Sequence, residues 1–279
     1  PPPPPPPPPP PFFFHPHPAP PDSVASRGLG DVYKRQDGGI KTHTESLKDS
    51  ISHFTENLDI DVANPSSDEN IFETVKDLNK YDALIWGGSS LNIYNDTIEI
   101  RRQLEFMREC QKKIKKMLAI CWGMQVAVTV AGGEVKRCKT GSHRGIAHNI
   151  KINNEGLKHP IYKNKEKIFN TPAFNFDEVV TLPQNSTLLS SNSINKVMAT
   201  NFQVGDCEIW GIQYHPEITY KKMVSLIHFR KDRLLNNKAF KDEIDINEHV
   251  KIIENEDKIT KKDARMRELE NWLNYIDVH

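Results

Sequence analysis

Met117-Leu118-Ala119-Ile120-Cys121-Trp122-Gly123-Met124-Gln125 is an apolar run that delivers a cysteine, with small residues, Ala119 and Gly123, two positions away on either side. The next stretch, Val126-Ala127-Val128-Thr129-Val130-Ala131, reads as a buried helix closed by Gly132-Gly133. Strand, sharp turn, reactive side chain and helix is the layout of a nucleophile elbow, in which small neighbours let the backbone fold tightly enough to expose one atom. The turn sets Cys121 at a helix N-terminus, where unpaired N–H groups and the helix dipole favour negative charge. The alternative is a buried structural cysteine, the usual place of a free thiol.

A second segment bears on that choice. Cys207-Glu208-Ile209-Trp210-Gly211-Ile212-Gln213-Tyr214-His215-Pro216-Glu217 is another apolar run, and it ends in a His and a Glu two residues apart. In extended chain, side chains at i and i+2 share a face. Glu217 is then placed to accept one imidazole N–H of His215 and to turn the other ring nitrogen toward a nucleophile, with Pro216 stiffening the link. Alone, His-Pro-Glu reads as a strand-end turn; a cysteine elbow upstream favours a shared site. Tyr81-Asp82-Ala83-Leu84-Ile85-Trp86 adds a strand-like run ending in Gly87-Gly88-Ser89-Ser90. Glycines there let backbone N–H groups approach a ligand, so this loop and the Trp122 amide can together form an oxyanion hole. Taken by itself the same loop is an ordinary β-to-α turn.

With these residues in place, the chain resembles a class I (triad) glutamine amidotransferase domain, and within that group the stand-alone, GMP synthase-like members. The resemblance is carried by Ala83-Leu84-Ile85-Trp86-Gly87-Gly88, Ile120-Cys121-Trp122-Gly123-Met124-Gln125, Gly211-Ile212-Gln213-Tyr214-His215-Pro216-Glu217 and Thr140-Gly141-Ser142-His143-Arg144-Gly145. It implies an α/β, flavodoxin-like three-layer sandwich with a central, mostly parallel sheet. It further implies that Cys121 attacks the side-chain amide of glutamine, that His215 is base and acid, and that Glu217 orients it. Gly88 and Trp122 would supply the oxyanion N–H groups, and Gly87, Gln125, Ser142, His143 and Asp177 would contact substrate. In one place the pattern departs: where relatives carry a His-Gly-Asp-like stretch, this chain has Asn175-Phe176-Asp177. Asp177 then either neutralises an α-ammonium group or is a solvated loop acid. No cofactor and no metal is implied.

The whole chain sets bounds. Its 279 residues suffice for one good core with room for a second small unit. With 37 basic and 37 acidic residues there is no electrostatic case for nucleic acid or an anionic membrane. The four cysteines show no metal-ligand spacing; Cys110 and Cys207 read as core, Cys138 as a loop residue, and a cytoplasmic, reducing setting fits a reactive thiol. No apolar stretch reaches membrane-spanning length.

Residues 1–36 form a different kind of sequence. Eleven prolines open the chain, and 15 of its 20 prolines lie in residues 1–21, a composition that favours extended polyproline II and builds no core. Residues 26–36 read as a sequencing or assembly artefact rather than encoded protein. No apolar strand occupies residues 30–41, so the expectation is that a native first strand has been replaced and that the sheet lacks a central strand, with exposed pairing edges. The division that follows is residues 1–36 as a low-complexity segment, 37–235 as the amidotransferase-like domain and 236–279 as a C-terminal helical extension.

Between these limits the pattern alternates β and α. Leu47, Ile51, Phe54 and Leu58 fall at helical spacing, Ile60-Asp61-Val62 is a short strand, and Asp68 is expected to cap a helix bearing Ile71, Phe72, Val75 and Leu78. After Gly133, short runs predict antiparallel additions before the chain returns to the catalytic face. Thr219 to Leu235 reads as one amphipathic helix, and Leu269, Trp272, Leu273 and Ile276 make a stripe that packs on its own domain or docks a partner.

Amide hydrolysis with ammonia release is the leading reading. About 45 residues after the helix that follows Glu217 are too few for an ATP-using synthetase domain, so an ammonia acceptor is expected on a separate chain. The alternatives are a γ-glutamyl hydrolase, acyl transfer of the kind used by succinyl-type homoserine acyltransferases, which resemble the same Cys121 and His215 segments, and an inactive regulatory protein that keeps the fold.

Overall fold

Residues 116–120 alternate which side chain faces which layer, and both layers are apolar, so this strand has to be covered on both sides. The computed structural model, which describes residues 11–15, 43–55 and 58–276, provides that cover. In chain order the first half comprises β1 (Pro11–His15), α1 (His43–Ser52), β2 (Asp59–Val62), α2 (Ile71–Thr74), β3 (Ala83–Trp86), α3 (Ile98–Lys113), β4 (Lys116–Ile120) and α4 (Trp122–Val130). An excursion follows: β5 (Glu134–Arg137), β6 (His143–Arg144), β7 (Ala147–Ile152), β8 (Ile168–Thr171), β9 (Phe174–Asn175), β10 (Asp177–Thr181), β11 (Thr187–Ser191) and β12 (Ala199–Val204). Strand β13 (Cys207–Ile212) then returns to the centre, and α5 (Tyr220–Phe229), α6 (Lys231–Asn236), α7 (Glu243–Ile259), α8 (Lys262–Arg265) and α9 (Arg267–Ile276) complete the chain.

Nine strands form one sheet in the order β2-β1-β3-β4-β13-β12-β11-β7-β8. At its centre β3, β4 and β13 are parallel, and β12, β11, β7 and β8 extend it as an antiparallel wing. Met117 and Ala119 of β4 join Phe106, Met107 and Val126 from α3 and α4 on one face. Leu118 and Ile120 join Leu47 and Ile51 of α1 and Trp272 of α9 on the other. This is a three-layer α/β, flavodoxin-like sandwich. Parallel strands with βα connections bring their C-terminal ends to one edge, where sites form.

Several sequence expectations are corrected here. Pro11–His15 is a strand of the sheet, antiparallel to both β2 and β3 and lying between them, so the sheet is continuous where a strand was expected to be missing. Its Phe12-Phe13-Phe14 has strong strand preference, and Pro11 sits at the strand's first residue, the position where proline costs no ladder hydrogen bond. Residues 28–41 lie outside the described residues. The helix expected after Asp68 is only the short α2; the Asp68 carboxylate accepts from Asn70 N–H at 2.9 Å, which makes a turn rather than a cap. The amphipathic stretch 219–235 is two helices, broken at Arg230. Cys138 lies in the loop after β5, as expected, and is buried there.

The C-terminal helices pack on the chain itself. Ile246, Val250 and Ile253 of α7 bury against Tyr220 and Ile227 of α5. In α9, Trp272 is fully buried, meeting Trp210 of β13 edge-on at 5.1 Å, while Tyr275 stacks on Trp210 at 4.6 Å. Among the described residues no helix is long and apolar enough to cross a membrane.

Candidate active site

Three adjacent strands end at one place: Gly87-Gly88 follow β3, Cys121 follows β4, and residues 213–217 follow β13. Cys121 takes φ 54° and ψ −105°, a conformation that costs a residue with a Cβ on the order of 1–3 kcal/mol. The elbow is held from two sides: Cys121 N–H donates to the Ile212 carbonyl at 2.7 Å, and Gly123 N–H to the Gly87 carbonyl at 3.1 Å. A Cβ on Gly123 would lie 2.2 Å from the Trp86 carbonyl oxygen, so only glycine allows this turn to pack on β3. At Gly88 a Cβ would lie 2.6 Å from His215 Cε1 and 3.5 Å from Cys121 Cβ, which places the Gly88 backbone directly against both side chains. Trp122 opens α4, so its N–H is among those with no acceptor inside the helix.

His215 lies beside the cysteine. Its Nδ1 is 2.7 Å from Glu217 Oε1, and the Gly88 backbone packs against both its ring and the Cys121 side chain. Both His215 and Glu217 are buried. Burial pushes the imidazole's pKa down, but Glu217 and Cys121 outweigh it and raise it to about 10. Burial likewise pushes the Glu217 carboxyl up, but His215 and His43 hold it well below the usual carboxylate range. Gln213 Nε2 donates toward Cys121 Sγ at 3.4 Å, and Gln125 Nε2 contacts Gln213 Oε1 at 3.2 Å.

A cleft opens in front of Cys121, lined in part by Ser89, Asn92, Gln125, Arg137, Asn175 and Asp177. Asp177 is buried at the start of β10, not a solvated loop acid. Asn92 Nδ2 donates to its Oδ2 at 2.6 Å and Tyr94 OH to its Oδ1 at 3.0 Å. Burial raises its pKa, while Asn92, Tyr94 and Arg137 pull it back.

Other expected contacts fall elsewhere. Ser142 and His143 do not line this cleft. His143 is buried behind it, with Nδ1 2.8 Å from Asn175 Oδ1 and Nε2 2.9 Å from Asn192 Nδ2; burial lowers its pKa to about 4, so it braces Asn175 as a neutral ring. Gly87 supports the elbow through its carbonyl. Asn92, Tyr94 and Arg137 were not singled out from the sequence: they lie in turns and a short ladder with no periodic signal.

Behind the His215–Glu217 turn the protein is densely hydrogen-bonded. Buried Arg265 of α8 donates to the carbonyls of Pro216 and, at 2.9 Å, of Ile218. Ser50 Oγ donates to the Glu217 carbonyl at 3.1 Å, and His43 Nε2 lies 2.6 Å from Glu217 Oε1. Tyr214 OH donates to Glu268 Oε1 at 2.8 Å, and the other carboxylate oxygen accepts from buried Lys165 at 2.9 Å. The ligand atoms of His43, His215 and Glu217 lie within 4.8 Å of one another, a spacing a cation can bridge, but the two contacts to Glu217 Oε1 are of hydrogen-bond length and account for the cluster.

Comparison with known proteins settles the family. The profile described as glutamine amidotransferase class-I matches residues 40–231. The chain belongs to this family. It is 32% identical over 145 residues to a γ-glutamyl-L-1-hydroxyisopropylamide hydrolase of a Pseudomonas species, which covers 51% of this chain and 49% of that protein. It is 30% identical over 175 residues to γ-glutamyl peptidase 3 of Arabidopsis thaliana, covering 62% and 67%. With a glutamine-hydrolyzing GMP synthase component of Methanosphaera stadtmanae it shares 30% over 149 residues, covering 53% and 72%. The match therefore spans about half of the first of these class I relatives and more of the other two. A glutamine amidotransferase of Thermotoga maritima has the same fold, with a TM-score of 0.57 at 19% identity over 76% of this chain and 91% of that one. Hydrolases and amidotransferases are both found among the relatives of this class I chain.

Proposed function

We propose that this class I enzyme hydrolyses γ-glutamyl amides through a thioester on Cys121. The observation that carries the reading is the strained Cys121 elbow, packed with His215 around Gly88, and the bond from His215 to Glu217. Cys121 Sγ attacks the γ-carbonyl carbon, and the oxygen that gains charge accepts from the Gly88 and Trp122 N–H groups. When the C–N bond breaks, His215 gives its proton to the leaving amine. Water then attacks the thioester and loses a proton to His215; the C–S bond breaks, glutamate leaves, and the starting state returns. Thiolate, imidazole and water balance this sequence without a cofactor. Asp177 receives the α-ammonium group, while Arg137 and Arg233, which line the same cleft, supply cations for the α-carboxylate.

The similarity to a γ-glutamyl amide hydrolase and a γ-glutamyl peptidase favours free hydrolysis, with the leaving amine released to water. A second reading, delivery of ammonia from glutamine to a separate synthetase chain, is favoured by the similarity to the GMP synthase component. The four free thiols support a cytoplasmic setting for either. Glutamate release measured from glutamine and from γ-glutamyl peptides and alkylamides tests the proposal. Steady turnover of γ-glutamyl amides by the isolated chain is expected. Turnover of glutamine alone supports the second reading, and glutamate release from none of them refutes both.

A further inference from the structure

His43 is the first residue of α1, and its side chain is nearly buried against the catalytic turn. Its Nε2 lies 2.6 Å from Glu217 Oε1, and His215 Nδ1 lies 2.7 Å from that same oxygen. The two rings meet edge to face, 5.5 Å between centroids. The second carboxylate oxygen, Oε2, is buried without a hydrogen-bond partner among the described residues. Thus two imidazoles from distant parts of the chain converge on one oxygen and leave the other bare.

Burial lowers the pKa of His43 more than Glu217 raises it, so the ring is neutral and carries one N–H. Its short contact with an acceptor-only carboxylate puts that N–H on Nε2. With a single donor, a buried carboxylate can turn about its last bond or present either oxygen. A second donor on the same oxygen, fixed to a different element, removes that freedom. The backbone supports the arrangement, since Ser50 on α1 also bonds the Glu217 carbonyl.

We propose that His43 is a positioning residue of this enzyme: it fixes the Glu217 carboxylate so that Oε1 faces His215 Nδ1, and so sets the orientation and basicity of His215. This rests on the triad roles given above. The charged and titratable side chains facing the cluster are Lys222 of α5 and Arg265 of α8 at the rear and the Cys121 thiol at the front. Lys222 Nζ donates to Ser46 Oγ, and Arg265 donates to the carbonyls of Pro216 and Ile218. His43 is the group outside the triad whose side chain directly bonds the catalytic carboxylate among the described residues.

The test compares His43→Phe, which keeps ring volume without the N–H, with His43→Gln, which restores a donor, after both are shown to fold by circular dichroism. His43→Ala serves if the Phe variant does not fold. Two readouts are taken: kcat and KM on a γ-glutamyl amide, and the titration of the His215 ring by NMR. Loss of the donor is expected to lower kcat about 10-fold with KM little changed, the scale of one charge-assisted hydrogen bond. His215 should titrate lower than in the parent, because its carboxylate partner is no longer held in place. His43→Gln should recover most of both. An unchanged His215 titration, a loss confined to KM, or a Gln variant as impaired as the Phe variant overturns the proposal. The titration needs no substrate, so a protein that hydrolyses no γ-glutamyl amide would refute the functional reading and still test His43.

Discussion

The cleft in front of Cys121 and the packing behind Glu217 serve one strand end in opposite ways. In front, polar groups from separate turns and ladders, Asn92, Tyr94, Arg137 and Asp177, meet around open space. Behind, Arg265, Ser50 and His43 use their hydrogen bonds on the turn that carries His215 and Glu217, and Trp272 and Leu269 close the layer with apolar surface. The front face keeps a cleft beside Cys121, whereas the rear face holds the His215–Glu217 turn through hydrogen bonds from α1 and α8. Changes in front should therefore alter recognition, and changes behind should alter stability and turnover together.

The largest expected effect lies between the two faces. His215→Ala should lower kcat by about 10³-fold or more in folded protein, as removal of a triad base does generally. A smaller loss, measured at saturating substrate, would move His215 out of the catalytic role. On the rear face, Arg265→Met should cost about 3 kcal/mol in urea unfolding, since it leaves two buried carbonyls of the catalytic turn without their charged donor. An unaltered midpoint would mean that the turn holds itself. At the front, Asp177→Asn should raise KM about 10-fold with kcat little changed, the scale of one charge pair to an α-ammonium group. A kcat effect without a KM effect would instead tie Asp177 to the chemistry.

The shallowest effect is in pH. His215 is raised to about 10 in the folded protein, so its contribution to stability is fully present below the unfolded value of about 6.5 and lost as pH rises from there to about 10. Glu217 is depressed, so its contribution is present above about 4.3 and lost as pH falls. The alkaline decline should have a slope below about 1.4 kcal/mol per pH unit and should flatten in Glu217→Gln, measured by urea unfolding across the range. An identical slope in that variant would show that the Glu217–His215 pair does not set it.

What could be read from the chain follows the same division. The elbow, the His215-Pro216-Glu217 turn and the Gly87-Gly88 loop are local: each conformation depends on residues within a few positions, so spacing marks it. The parallel strands could be read too, because burial on both faces writes them as unbroken apolar runs. Supporting contacts are another matter. Asn92 and Asp177 are 85 positions apart, and His43 and Glu217 174, and nothing in the local sequence of either partner marks the pair. Ser142 and His143 sit in a segment that resembles the family's substrate loop, yet packing turns His143 inward to hold Asn175. The strand Pro11–His15 is invisible for a related reason: a proline-rich context argues for polyproline II, while the decisive fact is the unpaired backbone of β2 and β3 that it covers.

The most direct test of the account is intact-mass labelling with 6-diazo-5-oxo-norleucine, an electrophilic glutamine analogue, with and without competing glutamine or a γ-glutamyl amide, in the parent and in Cys121→Ser. One adduct per chain is predicted, mapped to Cys121, slowed by the competitor and absent from the variant. Folded protein that takes no adduct, or takes it on another residue, would contradict the assignment of Cys121 as the nucleophile of a γ-glutamyl amide hydrolase.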